Sequence, residues 1–445
     1  MRAALSLVEA LLASDGLPAG HPPAEVREVA KQCVLDWFGV TLAGAGEELA
    51  VMLRAEAEAA GGAPQAGIVG TAARTSALFA ALVNGATSHA LDYDDTNLVM
   101  MGHSTAPVLP AALAEAEVRA AGGLELLNSF IAGVELECRL GLALSPGHYA
   151  AGWHPTGTLG TFGAAAACCH LAGLDRAATR AALGIAATQA AGLKSAFGTM
   201  SKPLHAGKAA FNGLLAARLG ARGFTASDEM IDGAQGFVET HAPEIHPERL
   251  DELGTRYLIT ETLFKYHAAC YLTHSTIENL RRLRLEGVPA DDAELVEVRV
   301  HPAALTVCDI AEPQTGLEGK FSLRATAAMG LLGDPTDDVA TFSDARMADP
   351  RLRSLRDRVR VSGDEDLAAA EAVAVVHAGG RRFESRSDAG LPARDIDTQW
   401  QRLEAKFTAL ASPVLGESGA RNLREAIRSL EHLPAADLVR LSQPA

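Results

Sequence analysis

At 445 residues the chain is longer than one hydrophobic core usually serves, so two domains are expected. Its 48% apolar and 21% charged residues supply enough buried surface for an ordered fold and exclude a disordered chain. A formal net charge of −16 argues against nucleic acid and anionic membrane as partners, since both need a cationic face, but it permits an anionic substrate in a local cationic pocket.

The first segment, Met1 to Ala13, is amphipathic and lacks a long apolar core followed by a cleavage site. No stretch reaches the roughly 18 unbroken apolar residues of a membrane span, so a cytoplasmic protein is expected. Pro22 and Pro23 then precede a helical stretch from 24 to 42, in which Val26, Val29, Ala30, Val34, Trp37, Phe38 and Val40 fit a 3.6-residue period. Further helices are predicted over 75–91, 106–121, 124–144, 176–191 and 205–222. The stretch 158–171 (TLGTFGAAAACCHL) is nearly all small or apolar and predicts a helix buried on every side.

The pattern changes after Leu285. In 295–301 Val296, Val298 and Val300 alternate with Glu297 and Arg299, the signature of a half-buried strand. Similar runs occupy 359–361 and 372–377, and Gly379-Gly380 joins the latter to 381–386 as a hairpin. Helices return over 397–411 and 420–430. The expected fold is mainly α: a large, discontinuous all-helical domain (1–270 and 395–445) and a smaller α/β lid domain (271–394). The six cysteines lack zinc-site spacing and read as buried free thiols in a reducing compartment.

Four polar clusters interrupt this apolar background. The first runs His89-Ala-Leu-Asp92-Tyr-Asp94-Asp95-Thr96 and continues through Gly102-His103-Ser104-Thr105. Aspartates at helix ends are also ordinary caps, and the spacing matches no metal motif, so no metal is expected. The second, Gly152-Trp-His154-Pro-Thr156, precedes the small-residue helix. His154 would stand at its positive end with Thr156 as a cap, unless it is a surface histidine in a turn. The third, 198–208, gathers Met200, Lys202, His205 and Lys208 before another apolar helix. The fourth, 264–274, holds Lys265, His267, Cys270 and His274, any of which may equally serve the core. No P-loop, dinucleotide glycine fingerprint or nucleophile elbow is present.

In order, the stretches HALDYDDT (89–96), GHSTAPVLPAALA (102–114), HPTGTLGTFGAAAA (154–167), FGTMSKPLHAGKAA (197–210), FKYHAACYLTHS (264–275) and GLEGKFSLRATAA (316–328) resemble the MmgE/PrpD family over roughly residues 1–430. The resemblance implies a homodimer without cofactor that makes or breaks bonds beside a carboxylate of a small di- or tricarboxylate. It carries over Asp92, Thr96, His103, His154, Lys202 and Lys265 as site residues, with Met200, His267 and Cys270 beside substrate. Cys270 and Ala325 depart from the family's cis-aconitate decarboxylases, which carry histidine and tyrosine there.

Proton removal α to a carboxylate needs a base near the carbon and cations on the developing enediolate. Lys202 and Lys265 suit the second task and His103 or His154 the first, with Asp92 orienting an imidazole and Thr96 bonding substrate. One such constellation serves dehydration, epimerisation or decarboxylation alike; a dehydratase is placed first, then an epimerase, then a decarboxylase, which the departures at Cys270 and Ala325 weaken. A non-catalytic protein that keeps the fold and a metal-dependent hydrolase are the remaining alternatives.

Overall fold

The computed structural model describes residues 22–250 and 256–444. The amphipathic stretch at Met1 to Ala13 lies outside them. The chain divides into two compact units: a helical one (Met1–Ala90, Asp94–Phe264, Arg394–Ala445) and a smaller one (Leu91–Tyr93, Lys265–Ala393).

Among the described residues of the helical unit, the longer helices before the smaller unit are, in chain order, α1 (Ala24–Gly44), α2 (Glu48–Ala60), α3 (Ala77–Ser88), α4 (Thr105–Arg119), α5 (Gly123–Leu144), α6 (Pro155–Leu171), α7 (Arg176–Ala187) and α8 (Ser201–Ala221). Helix α6 is the hub, packed by α4, α5 and α8. Every residue from Pro155 to Cys169 is buried, as the small-residue stretch predicts. The close approach depends on absent side chains. A Cβ at Gly163 would meet Val108 Cγ2 at 2.8 Å and Glu137 Oε2 at 2.7 Å, and one at Gly213 would meet the Thr161 carbonyl at 2.7 Å.

Local chemistry sets the helix starts. Ser76 and Asp175 accept from the backbone N–H three residues on, giving α3 and α7 their caps. Helix α6 instead has His154 as its N-cap residue and Pro155 in the first turn. Thr156 therefore does not cap it. That residue already lies inside the first turn, and its hydroxyl accepts from the His103 N–H at 3.0 Å.

The smaller unit has a four-stranded sheet of β1 (Ala293–Val300), β2 (Val359–Gly363), β3 (Glu371–Ala378) and β4 (Arg381–Asp388), in the order β2-β1-β3-β4. β1 and β2 are parallel and the other pairs antiparallel. Val296, Val298 and Val300 are buried while Glu297 and Arg299 are exposed, so the alternation read from sequence holds. Gly379 and Gly380 join β3 to β4 with φ of 57° and 71°, the left-handed pair that a two-residue hairpin turn demands. Helices α9 (His274–Leu285) and α10 (Leu323–Leu332) pack together, and α9 lies against β3 and β4.

The chain returns to the helical unit as α11 (Ile396–Arg428), which packs on α1. Two helices were expected here. The structure has two, meeting at a kink at Gly416, whose φ of 71° is non-helical. All six cysteines are free and buried.

Candidate active site

Within the helical unit, four separate pieces of chain deliver one polar nest. The C-terminal end of α3 places His89, and the turn after it places Asp94 and Asp95. His103 comes just before α4, His154 caps α6, and Lys202 sits in the first turn of α8. All six are buried.

Asp94 joins two imidazoles. His89 Nδ1 is 2.9 Å from each Asp94 carboxylate oxygen, and His103 Nδ1 is 3.1 Å from Oδ2. The two rings lie 4.4 Å apart, and the His154 ring stacks 6.0 Å from that of His89. His103 Nδ1 is also 2.7 Å from the Asp95 carbonyl. A carbonyl accepts and never donates, so Nδ1 carries the hydrogen and Nε2 is the basic nitrogen of neutral His103. His154 Nδ1 shares a hydrogen with His205 Nδ1 at 3.0 Å, and its ring meets Phe197 edge-on.

Burial and charge fix the protonation states. Burial alone would push Asp94 up, but the facing imidazoles of His103 and His89 outweigh it and hold the carboxyl well below its usual range. Burial pulls His89 down to about 4 in spite of Asp94. It also carries His154 well below its ordinary value, helped by the Lys202 cation. Asp95 behaves oppositely to its neighbour: burial and the nearby Asp36 carboxylate push it up to about 8, although the Thr105 hydroxyl donates to it. The nest thus holds one anionic carboxylate, one neutral carboxyl and two neutral imidazoles near neutral pH.

Atoms of His89, Asp94 and His103 lie within 4.8 Å of one another, a nitrogen–oxygen donor set of the type that zinc accepts. The nitrogen that His103 turns toward Asp94, however, is already the donor to a carbonyl, so the three form a hydrogen-bonded triad rather than a ligand set.

The remaining expected residues of this unit lie about the nest in different ways. Thr96 is buried in a two-residue ribbon with Leu263, and its hydroxyl hydrogen goes to the Gly102 carbonyl at 2.9 Å, leaving it an acceptor. Met200 precedes α8 and is 46% exposed.

The smaller unit holds the others. Lys265 is buried, donates to the Asp92 carbonyl at 2.5 Å and pairs with the Asp92 carboxylate at 3.2 Å. Lys320 donates to the Leu91 carbonyl at 3.3 Å. Asp92 has a left-handed φ of 52°, which these two lysines help to hold. His267 has both nitrogens engaged, with the Thr336 hydroxyl at 2.9 Å and Glu278 at 3.2 Å. The Cys270 thiol is drawn down by a hydrogen bond from Cys308, whose own thiol burial pushes up.

Asp94 is thus the carboxylate hydrogen-bonded to His89 and His103, and Asp92 pairs with Lys265. The sequence reading chose Asp92 to orient an imidazole and passed over Asp94, because side-chain direction in a turn has no fixed period. His89 and His205 were missed for the same reason, although both stand in the quoted motifs.

Comparison with known proteins agrees along the whole chain. Residues 14–249 match the MmgE/PrpD N-terminal domain and residues 267–432 the MmgE/PrpD C-terminal domain. The cis-aconitate decarboxylase of Homo sapiens is 28% identical over 442 residues, covering 95% of this chain and 91% of that protein. That of Aspergillus terreus is 27% identical over 457 residues, covering 94% and 92%. A cis-aconitate decarboxylase-like protein of Aspergillus oryzae is 32% identical over 282 residues, covering 59% of this chain and 58% of its own.

Proposed function

The chain belongs to the MmgE/PrpD family, and we propose that it is a cofactor-independent lyase acting on a small polycarboxylate. The carrying observation is the nest itself: a buried lysine whose charge acts on the His89 and His154 imidazoles, together with His103, whose tautomer is fixed with Nε2 basic. Lys202 supplies the cation for a substrate carboxylate, and in a water-poor site that attraction is stronger than in bulk solvent. His103 Nε2 takes or returns the proton at the carbon beside the carboxylate. His154, held neutral, offers a second imidazole that can donate or accept without adding charge.

Decarboxylation of an unsaturated tricarboxylate is the first form of this reading, because the relatives that cover most of the chain are cis-aconitate decarboxylases. In it one carboxylate leaves as carbon dioxide, its bonding pair passes to carbon, and an imidazole proton quenches that carbon. Dehydration of a hydroxy acid, placed first from sequence, becomes the second form. It retains support from the smaller unit, where Cys270 and the buried Ala325 offer neither the imidazole nor the phenol of the decarboxylase pattern. A homodimer belongs to the same proposal. Among the described residues no helix is long and apolar enough to cross a membrane.

Proton NMR in deuterium oxide with cis-aconitate, citrate-like hydroxy acids and aspartate-derived acids tests the reading. Carbon dioxide release with one deuteron on the product supports decarboxylation, whereas loss of water marks the second form. Exchange with inversion alone would make the protein an epimerase. A folded protein that turns over none of these acids defeats the lyase reading.

A further inference from the structure

Asp94 serves two imidazoles at once, and the two are not equivalent. His103 presents Nδ1–H both to Asp94 and to the Asp95 carbonyl, which puts the lone pair of the neutral ring on Nε2. His89 presents Nδ1–H to both Asp94 oxygens. Its Nε2 is sealed in protein and has no hydrogen-bond partner among the described residues. His89 therefore has no route by which to pass a proton on, yet it occupies the carboxylate that His103 depends on.

We propose that Asp94 is a positioning residue for His103 and that His89 sets the basicity of His103 by sharing the Asp94 carboxylate. The three side chains then act as a unit that takes up one proton, at His103 Nε2. Its role in turnover rests on the lyase reading given above; its geometry does not.

The surrounding charges favour a single proton. Lys202 on α8 acts on His89, the His154 imidazole acts with both members of the pair, and each opposes a second positive charge; His205 acts on His154. Asp95 lies behind the pair. Asp36 on α1 and Glu137 on α5 are the further carboxyl groups acting in this region, and Asp36 is tied to Lys406 of α11 at 2.6 Å. Asp95 stays protonated near neutral pH, so of the two adjacent carboxyls Asp94 carries the charge that steadies an imidazolium. An opposite charge at this range raises an imidazole by about one pH unit or more. The hydrogen bond from His89 withdraws part of that charge.

This makes two substitutions act with opposite sign. Asp94→Asn removes that anion and so disfavours the protonated form of His103, while the Asp95 carbonyl keeps the hydrogen on Nδ1. His89→Phe returns the whole carboxylate to His103, which then titrates higher. A residue that merely supports the fold would not shift the two variants in opposite directions. On the lyase reading, the acid limb of the kcat/KM profile follows each shift, because the base must be deprotonated to act.

The experiment is a pH titration by histidine-detected 15N NMR of the whole chain, in wild type, Asp94→Asn and His89→Phe, with His103 assigned from the loss of its signals in His103→Gln. Shifts of opposite sign, with the Nδ1–H tautomer kept and His89 neutral in wild type down to about 4, support the triad. Shifts of the same sign, absent shifts, or protonation of His89 before His103 overturn it. Should Asp94→Asn not fold, His89→Phe alone decides: a fall or no change in the His103 titration overturns the proposal. The titration needs no substrate, so absence of turnover with every acid defeats the lyase reading and leaves the triad standing. Turnover whose acid limb stays fixed in both variants defeats the triad and leaves the lyase reading.

Discussion

In the helical unit the imidazoles of His103 and His154 stand 4.4 and 6.0 Å from that of His89, and His89 and His103 meet on one carboxylate. In the smaller unit His267 sits between a threonine and a glutamate, and Lys265 is bound to the Asp92 backbone and carboxylate. The two regions use the same residue types. The first is built around a basic nitrogen and a cation whose charges are finely opposed; the second uses its polar atoms to hold a left-handed turn and a buried loop in place. Charged residues in a buried setting can thus serve chemistry or anchorage, and hydrogen-bond partners tell them apart better than residue type does.

Substitutions that separate activity from stability test this contrast. The largest expected effect is on turnover: His103→Gln should lower kcat/KM by about 10²- to 10⁴-fold, the usual contribution of a positioned acid or base, with little change in melting temperature. An equal loss of stability would break the comparison. Lys202→Met should weaken substrate use by about 10- to 100-fold, mainly in KM, as loss of a charge-assisted bond to a carboxylate does.

Lys265→Met should act on the fold instead, costing about 3–5 kcal/mol in chemical denaturation, because it leaves the Asp92 carboxylate buried without its cation. Adding Asp92→Asn should restore part of that loss. A stable Lys265→Met protein that has lost turnover would place Lys265 with the catalytic group.

A smaller effect is expected in pH dependence. Asp95 titrates at about 8 in the folded chain against an ordinary 3.8, so the folded state holds a proton that the unfolded chain has released between those values. The stability it adds is full below 3.8, declines as pH rises and is gone above about 8. Melting curves should therefore fall less steeply between pH 6 and 9 in Asp95→Asn than in wild type. Equal slopes would show Asp95 ionised at neutral pH. The smallest change is Met200→Ala, within about 0.5 kcal/mol of wild type, since the side chain is largely exposed.

Much of the fold could be read without coordinates because its periods are local. The buried helix at Pro155–Leu171, the alternating strand at Ala293–Val300 and the Gly379-Gly380 hairpin all follow from residues within a few positions of each other. The two C-terminal stretches were read as separate helices, and the structure breaks the helix between them at Gly416, whose backbone is non-helical. The candidate site was legible as a set of motifs: His103, His154 and Lys202 were named from sequence and do come together in the helical unit.

Which atoms meet was not legible. Asp92, Asp94 and Asp95 are three carboxylates within four positions, and the sequence reading assigned the imidazole to Asp92. The tertiary structure gives them a lysine, two imidazoles and a protonated burial site respectively. A chain's own period determines helices, strands and turns because backbone geometry repeats every 3.6 or 2 residues. Charge state and hydrogen-bond partner have no such period. They depend on groups brought from α1, α4, α6 and α8 by packing, on the carbonyl that fixes a tautomer, and on how much water is excluded, and these only the folded chain decides.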